Sequence, residues 1–190
     1  MAALNPPDAP GLALLLNRRS HHQLRAPGPK DDELNIILRA GLRAPDFALL
    51  RPYRVLAARD AGLTRLGEAL RQGAQAAGLP ERRVARAASM PLRAPLVLTV
   101  IACPREHDTV PEFDQLLCAG SVVLCMQLAA RALGYGGVWR SGWPMHQPEV
   151  GQALGLAPHE RIIGFLYLGT ADGEPPARAE PDPADFLRWL

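Results

Sequence analysis

With 190 residues, 48% of them hydrophobic, the chain has the size of one domain that buries a substantial core. Its 21 basic and 19 acidic residues are interspersed and leave a formal charge of +2, so it carries no electrostatic footprint for nucleic acid or a membrane surface. Arginine supplies every basic residue except Lys30, which means that a single arginine says little and only a cluster or an odd placement counts.

The segment Met1–Gly11 is rich in Pro and Ala and lacks a basic stretch; it reads as neither a signal peptide nor an anchor, and residues 1–10 are expected to be flexible at the head of a single domain, 1–190. Gly11–Arg19 reads as a first helix. Asp31 is a good N-cap, and Leu34, Ile37, Leu38 and Gly41 recur at helical spacing, which predicts a second helix over Asp32–Arg43, stopped by Pro45 and Asp46. Arg51-Pro52 leads into a predicted strand, Tyr53–Ala58. A turn at Asp60–Gly62 precedes a helix marked by Leu63, Leu66 and Leu70. Pro80 then opens a charged helix, Glu81–Ser89, with few apolar positions and an expected solvent-facing surface.

Leu96–Ala102 is a continuous apolar run after Pro95, as in a strand buried on both faces. Asp114–Leu133 reads as a long core helix, because Gln127, Arg131 and the small residues Ala119, Gly120 and Ser121 argue against a membrane span. Gly134 ends it, Gly136–Arg140 forms a short strand, Pro148–Leu154 a short helix, and Arg161–Gly169 a strong final strand. The polar tail from Thr170 finishes in Phe186, Leu187, Trp189 and Leu190, which want a surface to pack against, such as another subunit. The alternation of helices and strands is that of an α/β enzyme domain.

Asn17-Arg18-Arg19-Ser20 brings two guanidinium groups and a hydroxyl to the end of a helix, a donor set suited to phosphate oxygens and equally to a basic helix end that complements the dipole. Arg43 closes the second helix just before Pro45, an ordinary place for an arginine. Trp139-Arg140-Ser141-Gly142 follows a short apolar strand, where ligands gather beyond strand ends in α/β folds, or where a loop carries a core tryptophan. Cys103, Cys118 and Cys125 lie in apolar stretches without metal or disulfide spacing and are expected to be buried, unpaired thiols of a reducing compartment. His21 and His22 are adjacent and diverge, and no zinc spacing, nucleophile elbow or phosphate loop is found.

Taken in order, these segments resemble the nitroreductase family of FMN enzymes, in particular its small bacterial NAD(P)H nitroreductase branch, nearly end to end. The carriers are Arg18-Arg19-Ser20, the run Ile37–Asp46, the Pro52-aromatic entry to the first strand, Phe113-Asp114-Gln115, Gly134–Gly142, Ile163–Thr170 and Pro181-Asp182-Pro183. The resemblance implies an α+β fold with a central, mostly antiparallel sheet flanked by helices, in a cytoplasmic homodimer whose C-terminal tail is swapped onto the partner. It implies FMN at the subunit interface, with Arg18 and Ser20 on its phosphate and Arg19 beside them. Arg43 and the Pro45–Phe47 segment would reach the same flavin from the other subunit. Trp139, Arg140 and Ser141 would line the isoalloxazine, with Ser141 and Gly142 near N5.

By the same resemblance, NAD(P)H reduces the flavin and an electron-poor acceptor, a nitroaromatic or a quinone, reoxidises it, so no catalytic acid–base pair and no metal are expected. Arg140 is a candidate for stabilising negative charge on the reduced ring. One departure stands out: where the relatives carry histidine and lysine after Pro-Asp, this chain has Phe47-Ala48. That change keeps open a specialised reductase or dehydrogenase of an unsaturated metabolite, or a flavin-binding protein of low turnover. Arg178 is read as an exposed arginine, with an extra phosphate contact as the alternative.

Overall fold

The computed structural model describes residues 10–173, 175 and 181–190. In chain order the regular elements are α1 (Pro10–Leu16), β1 (Leu24–Arg25), α2 (Asp31–Gly41), β2 (Tyr53–Ala58), α3 (Ala61–Ala76), α4 (Glu81–Ser89), β3 (Leu96–Ala102), α5 (Glu112–Ala132), β4 (Gly136–Arg140), α6 (Pro148–Ala153) and β5 (Arg161–Ala171). Strands β2, β3, β5 and β4 lie side by side in that order, and every pair is antiparallel. The two residues of β1 pair with the last two of β5. The architecture is therefore α+β, as the resemblance implies, and the α/β reading from alternation alone is corrected. Hydrophobic periodicity identifies a strand but not the direction in which it joins the sheet.

The sheet divides the core into two layers, and strand alternation decides what each receives. On one face Val97, Val138, Phe165 and Tyr167 pack with Leu66 and Leu70 of α3, Val84 and Ala87 of α4, and Val150 of α6. On the other, Leu98, Val100, Leu166 and Leu168 meet Ile37 of α2 and Val122, Val123 and Met126 of α5. Each fully buried aliphatic side chain contributes about 1.5–3 kcal/mol, so these layers dominate the stability of the fold.

Three expectations shift. Helix α2 starts at Asp31 with Lys30 as its cap residue, because the Glu33 carboxylate reaches back to accept the Lys30 N–H at 2.9 Å, in the acidic first turn that its dipole favours. Helix α4 is not wholly solvent-facing, since Val84 and Ala87 are buried against α3. Helix α5 is only half a core helix: Cys118, Val122, Met126 and Ala130 point inward, but Phe113, Leu117 and Leu124 form an exposed row. Among the described residues α5 is the one helix long and apolar enough to cross a membrane, yet it packs on α2 and the sheet with Gln115 and Gln127 buried.

Candidate functional site

The candidate residues begin at the loop after α1, which ends at Leu16 rather than at Arg19. Arg18, Arg19 and Ser20 are half-buried there, with an Arg18 guanidinium nitrogen 3.4 Å from Ser20 Oγ. Arg19 turns back onto the carbonyls of Leu16 and Arg18. The next residue ties the loop to the sheet, because His21 N–H donates to the Gly137 carbonyl at 3.0 Å. A cleft of about 260 Å³ opens beside it, lined by Ser20, His21, His22 and Asp172.

Gly137 is the second residue of β4, and Trp139-Arg140-Ser141-Gly142 lies at the other end of that strand. Three residues of extended chain separate Gly137 from Arg140, about 10 Å. Among the described residues β4 pairs with β5 alone, so a single edge strand carries both the anion-suited loop and the tryptophan segment. The rule that ligands gather at strand carboxyl ends does not supply this placement, because in an antiparallel sheet those ends alternate. The edge of β4 does.

The Trp139 indole lies across β5: Nε1 donates to the Ile163 carbonyl at 3.3 Å, and its far edge reaches Gly120 of α5. Gly164 makes this possible, since a Cβ there would collide with Nε1 and stand 2.6 Å from Cδ1 of the indole. Arg140 points to the opposite face of the sheet. Its guanidinium sits 5.3 Å from the centre of the Tyr167 ring, in cation–π range, and its buried Nε has no hydrogen-bond partner. Burial, aided by the like charges of Arg93 and Arg86, pushes its pKa below the ordinary arginine value. Ser141 and Gly142 are exposed, and Gly142 holds φ +117°, which L side chains rarely adopt.

Arg43, Pro45 and Phe47 form a separate group beyond the C-terminus of α2. All three are exposed, Phe47 by 67%. They stand next to a cleft of about 260 Å³ between this turn and α5, lined by Pro45, Phe47, Asp114, Leu117, Cys118 and Ser121 among others. Ala48, Leu49 and Arg51 have φ between 49° and 61°, left-handed without being glycine, while Leu50 among them keeps the right-handed helical region at φ −69°. The Asp46 carboxylate stabilises this turn by accepting the N–H groups of Leu50 at 3.1 Å and Arg51 at 2.7 Å, and Arg105 donates to the Leu50 carbonyl. One chain thus brings the ten candidate residues into two groups. Arg178 lies outside the described residues.

Two further residues belong to the site's geometry, Gly164 and Asp46. Each had a signal: an isolated glycine in an apolar strand marks close approach, and aspartate favours binding the backbone a few residues on. The cysteines are less uniform than expected, since Cys118 is buried but Cys103 and Cys125 are half-exposed. Burial pushes the Cys118 thiol up to about 11 and, with the neighbouring Glu160 carboxylate, does the same for Cys103, so neither is an activated nucleophile. Among the described residues no cluster of His, Cys, Asp and Glu suits a metal.

A family model described as the nitroreductase family matches residues 15–170. The sequence is 41% identical over 180 residues, 94% of this chain and 98% of the relative, to an Escherichia coli K12 protein named "Putative NAD(P)H nitroreductase YdjA". The fold matches a nitroreductase-like family protein of Bacillus cereus with TM-score 0.82 at 21% identity, covering 94% of this chain and 95% of that one. It matches a Desulfovibrio desulfuricans chain solved in complex with FMN with TM-score 0.74 at 23% identity, over 95% and 96% of the two chains.

Proposed function

The chain belongs to the nitroreductase family, and from that premise we propose that it is an NAD(P)H-dependent flavin oxidoreductase that binds FMN along the edge of β4 and passes electrons to an electron-poor small molecule such as a nitroaromatic or a quinone. The observation that carries the reading is the coupling of two groups through one strand: the Arg18–Ser20 loop is hydrogen-bonded at Gly137, and Trp139–Gly142 lies about 10 Å further along. That spacing suits a ligand with a phosphate at one end and a flat ring at the other.

The residues fit FMN. Arg18 and Ser20, half-buried and 3.4 Å apart, would hold the phosphate, with Arg19 completing the positive charge. A single phosphate suits this small donor set. The exposed backbone of Ser141 and Gly142, with glycine in a conformation closed to other residues, leaves room for a ring to approach. Trp139 is fixed by its Nε1 hydrogen bond and provides an apolar wall. When bound, FMN supplies the hydride chemistry, taking two electrons from NAD(P)H and delivering them to the acceptor. The protein's part is to orient the ring and exclude water, while Arg140, seated over Tyr167 on the sheet's opposite face, adds positive charge from behind the strand and not a contact.

A homodimer completes the reading. Phe113, Leu117 and Leu124 on α5, with Phe47, Phe186 and Trp189, leave more apolar surface exposed than a lone domain usually carries. A partner covering α5 would bring its own Arg43, Pro45 and Phe47 group towards the flavin, which accounts for a site split in two on one chain. The half-buried free thiols suit a reducing cytoplasm.

The test starts with the purified protein, which is expected to be yellow and dimeric and to bleach anaerobically on addition of NADH or NADPH. Arg18→Ala is expected to weaken FMN binding about tenfold or more through loss of a charged hydrogen bond. Protein that stays colourless after incubation with FMN would overturn the reading. A protein that bleaches but transfers electrons to no acceptor in a panel of nitroaromatics and quinones is instead a specialised reductase or a flavin-binding protein, which the exposed Phe47 favours.

A further inference from the structure

Helix α5 is apolar along most of its length, yet it buries two side-chain amides, Gln115 and Gln127. Outside tyrosine and cysteine, the buried polar residues among those described are His21, Thr99, Gln115 and Gln127, and all but Thr99 stand at one of two links between α5 and the proposed site. A buried amide is costly unless it is hydrogen-bonded, so what each one holds is informative.

Gln115 grips the loop 103–111, which leads into α5. Its Oε1 accepts the Arg105 N–H at 3.0 Å, and its Nε2 donates to the carbonyls of Arg105 at 2.8 Å and Val110 at 3.1 Å. Both backbone groups of Arg105 are thereby fixed, and the Arg105 guanidinium donates to the Leu50 carbonyl, in the turn that carries Phe47. Gln115 also lines the cleft beside Phe47. Gln127 acts on the other half of the site. Its Nε2 donates to the Gly137 carbonyl at 3.2 Å, the same oxygen that accepts the His21 N–H at 3.0 Å. Both lone pairs of that oxygen are used, one towards α5 and one towards the residue after Ser20. Helix α5, the edge of β4 and the phosphate-suited loop thus meet at one atom.

We infer that Gln115 and Gln127 are positioning residues. Gln127 sets the Arg18–Ser20 loop for the flavin phosphate; Gln115, through Arg105 and Leu50, sets the turn that presents Phe47 to the electron acceptor. The inference rests on the flavin reading. The two amides lie about 18 Å apart along the helix, beyond the range at which substitutions ordinarily couple. Each therefore governs one half of the site and not the other.

The experiment compares wild type with Gln115→Met, Gln127→Met and the control Thr99→Val, each of which removes a buried polar group at similar size. Two constants are read: the dissociation constant of FMN, and the KM for menadione and nitrofurazone with FMN in excess and NADH as reductant. Gln127→Met is expected to weaken FMN about fivefold at unchanged KM, and Gln115→Met to raise KM about fivefold at unchanged kcat and FMN affinity. Thr99→Val moves neither. Amide hydrogen exchange gives a readout independent of turnover, and decides alone if the wild type reduces neither acceptor: Gln127→Met speeds exchange at His21, and Gln115→Met at Leu50 and Arg51, each leaving the other's amides as in wild type. Should a core variant not fold, Arg105→Ala, at an exposed residue, is expected to reproduce the Gln115 pattern, and Gln127→Asn, which shortens the amide's reach, the Gln127 pattern. Both constants or both sets of amides moving together, or neither moving, overturns the proposal, as does a shift in either constant in Thr99→Val. Wild type that takes up no FMN removes the flavin reading and this one with it; FMN-bound wild type whose variants show no such division removes this one alone.

Discussion

The two halves of the proposed site are held by different physics. The β4 half is part of the sheet: Trp139 is packed on Gly164, its Nε1 is hydrogen-bonded to β5, and Val138 next to it is core. The Asp46–Arg51 half is a turn outside the sheet, in which Ala48, Leu49 and Arg51 hold left-handed conformations and Phe47 stands in solvent. In the first, packing fixes the geometry and the backbone carries little strain. In the second, one carboxylate and one arginine hold a strained backbone, the kind of arrangement that persists only where its surroundings determine it. A rigid floor with a turn that adapts separates cofactor binding from acceptor choice, so the two halves should respond differently to substitution.

The largest effect is expected where the floor leaves no room. Gly164→Ala places a methyl group against the Trp139 indole and 3.1 Å from the Arg140 carbonyl, so β4 and β5 must part or the tryptophan must leave its seat. A loss of about 3 kcal/mol in denaturant unfolding is expected from overpacking, together with loss of bound flavin. An unchanged midpoint and unchanged flavin content would show that β4 is as adaptable as the turn, and the contrast would fail.

The next effect tests what clamps the far side of the sheet. Arg54 of β2 donates two hydrogen bonds of 2.7 Å to Glu160, just before β5, and Glu160 also accepts from Ala157 N–H at 2.9 Å. These contacts, Arg54 first, draw the Glu160 carboxyl from 4.5 down to about 2. The folded value lies below the ordinary one, so the stability from this pair is fully present above about pH 4.5 and is lost as the pH falls towards about 2. Glu160→Gln is therefore expected to cost about 2 kcal/mol at neutral pH, with the gap to wild type closing over that acid window. A gap that is constant with pH would mean that the pair acts by shape and not by charge.

The same contrast explains what the sequence made legible. The boundaries of β2, β3 and β4 follow from the residues themselves, because each is an apolar run bounded by proline, glycine or charge. The pairing directions do not, and neither does β1, whose two residues are too few to show a period. The Arg18–Ser20 loop and Trp139–Gly142 were legible as donors and as a polar segment after a strand, but not as neighbours through β4, since that link is a backbone hydrogen bond from His21. The outward row of α5 was hidden because Leu117 and Leu124 look no different from the core residues Val122 and Met126. The strained turn was the least legible part: Ala48, Leu49 and Arg51 are residue types that ordinarily avoid the left-handed region, and only Asp46 hinted at what holds them there.

The turn half invites smaller and more selective changes. Asp46→Ala removes the acceptor of the Leu50 and Arg51 N–H groups, and both are near enough to the surface for water to replace part of the loss. A cost of about 1 kcal/mol is expected. Flavin content should stay near that of wild type while reoxidation by acceptors slows, because Phe47 no longer has a fixed position. Equal loss of flavin binding and of reoxidation would show that the two halves are one mechanical unit.

The smallest effect has the opposite sign. Ala48 adopts φ 61° and ψ 11°, a left-handed conformation that costs an L-residue about 1 kcal/mol relative to glycine. Ala48→Gly relieves that cost but gives the unfolded chain more freedom, which returns part of it. The net result is expected to be a gain of about 0.5 kcal/mol in unfolding free energy. The corresponding change at Ala57, which sits in regular β2 without left-handed strain, should instead lose about as much. A gain at position 48 beside a loss at position 57 would locate the strain in the turn that carries Phe47. Losses at both would mean that the Asp46 hub holds a conformation the chain already favours.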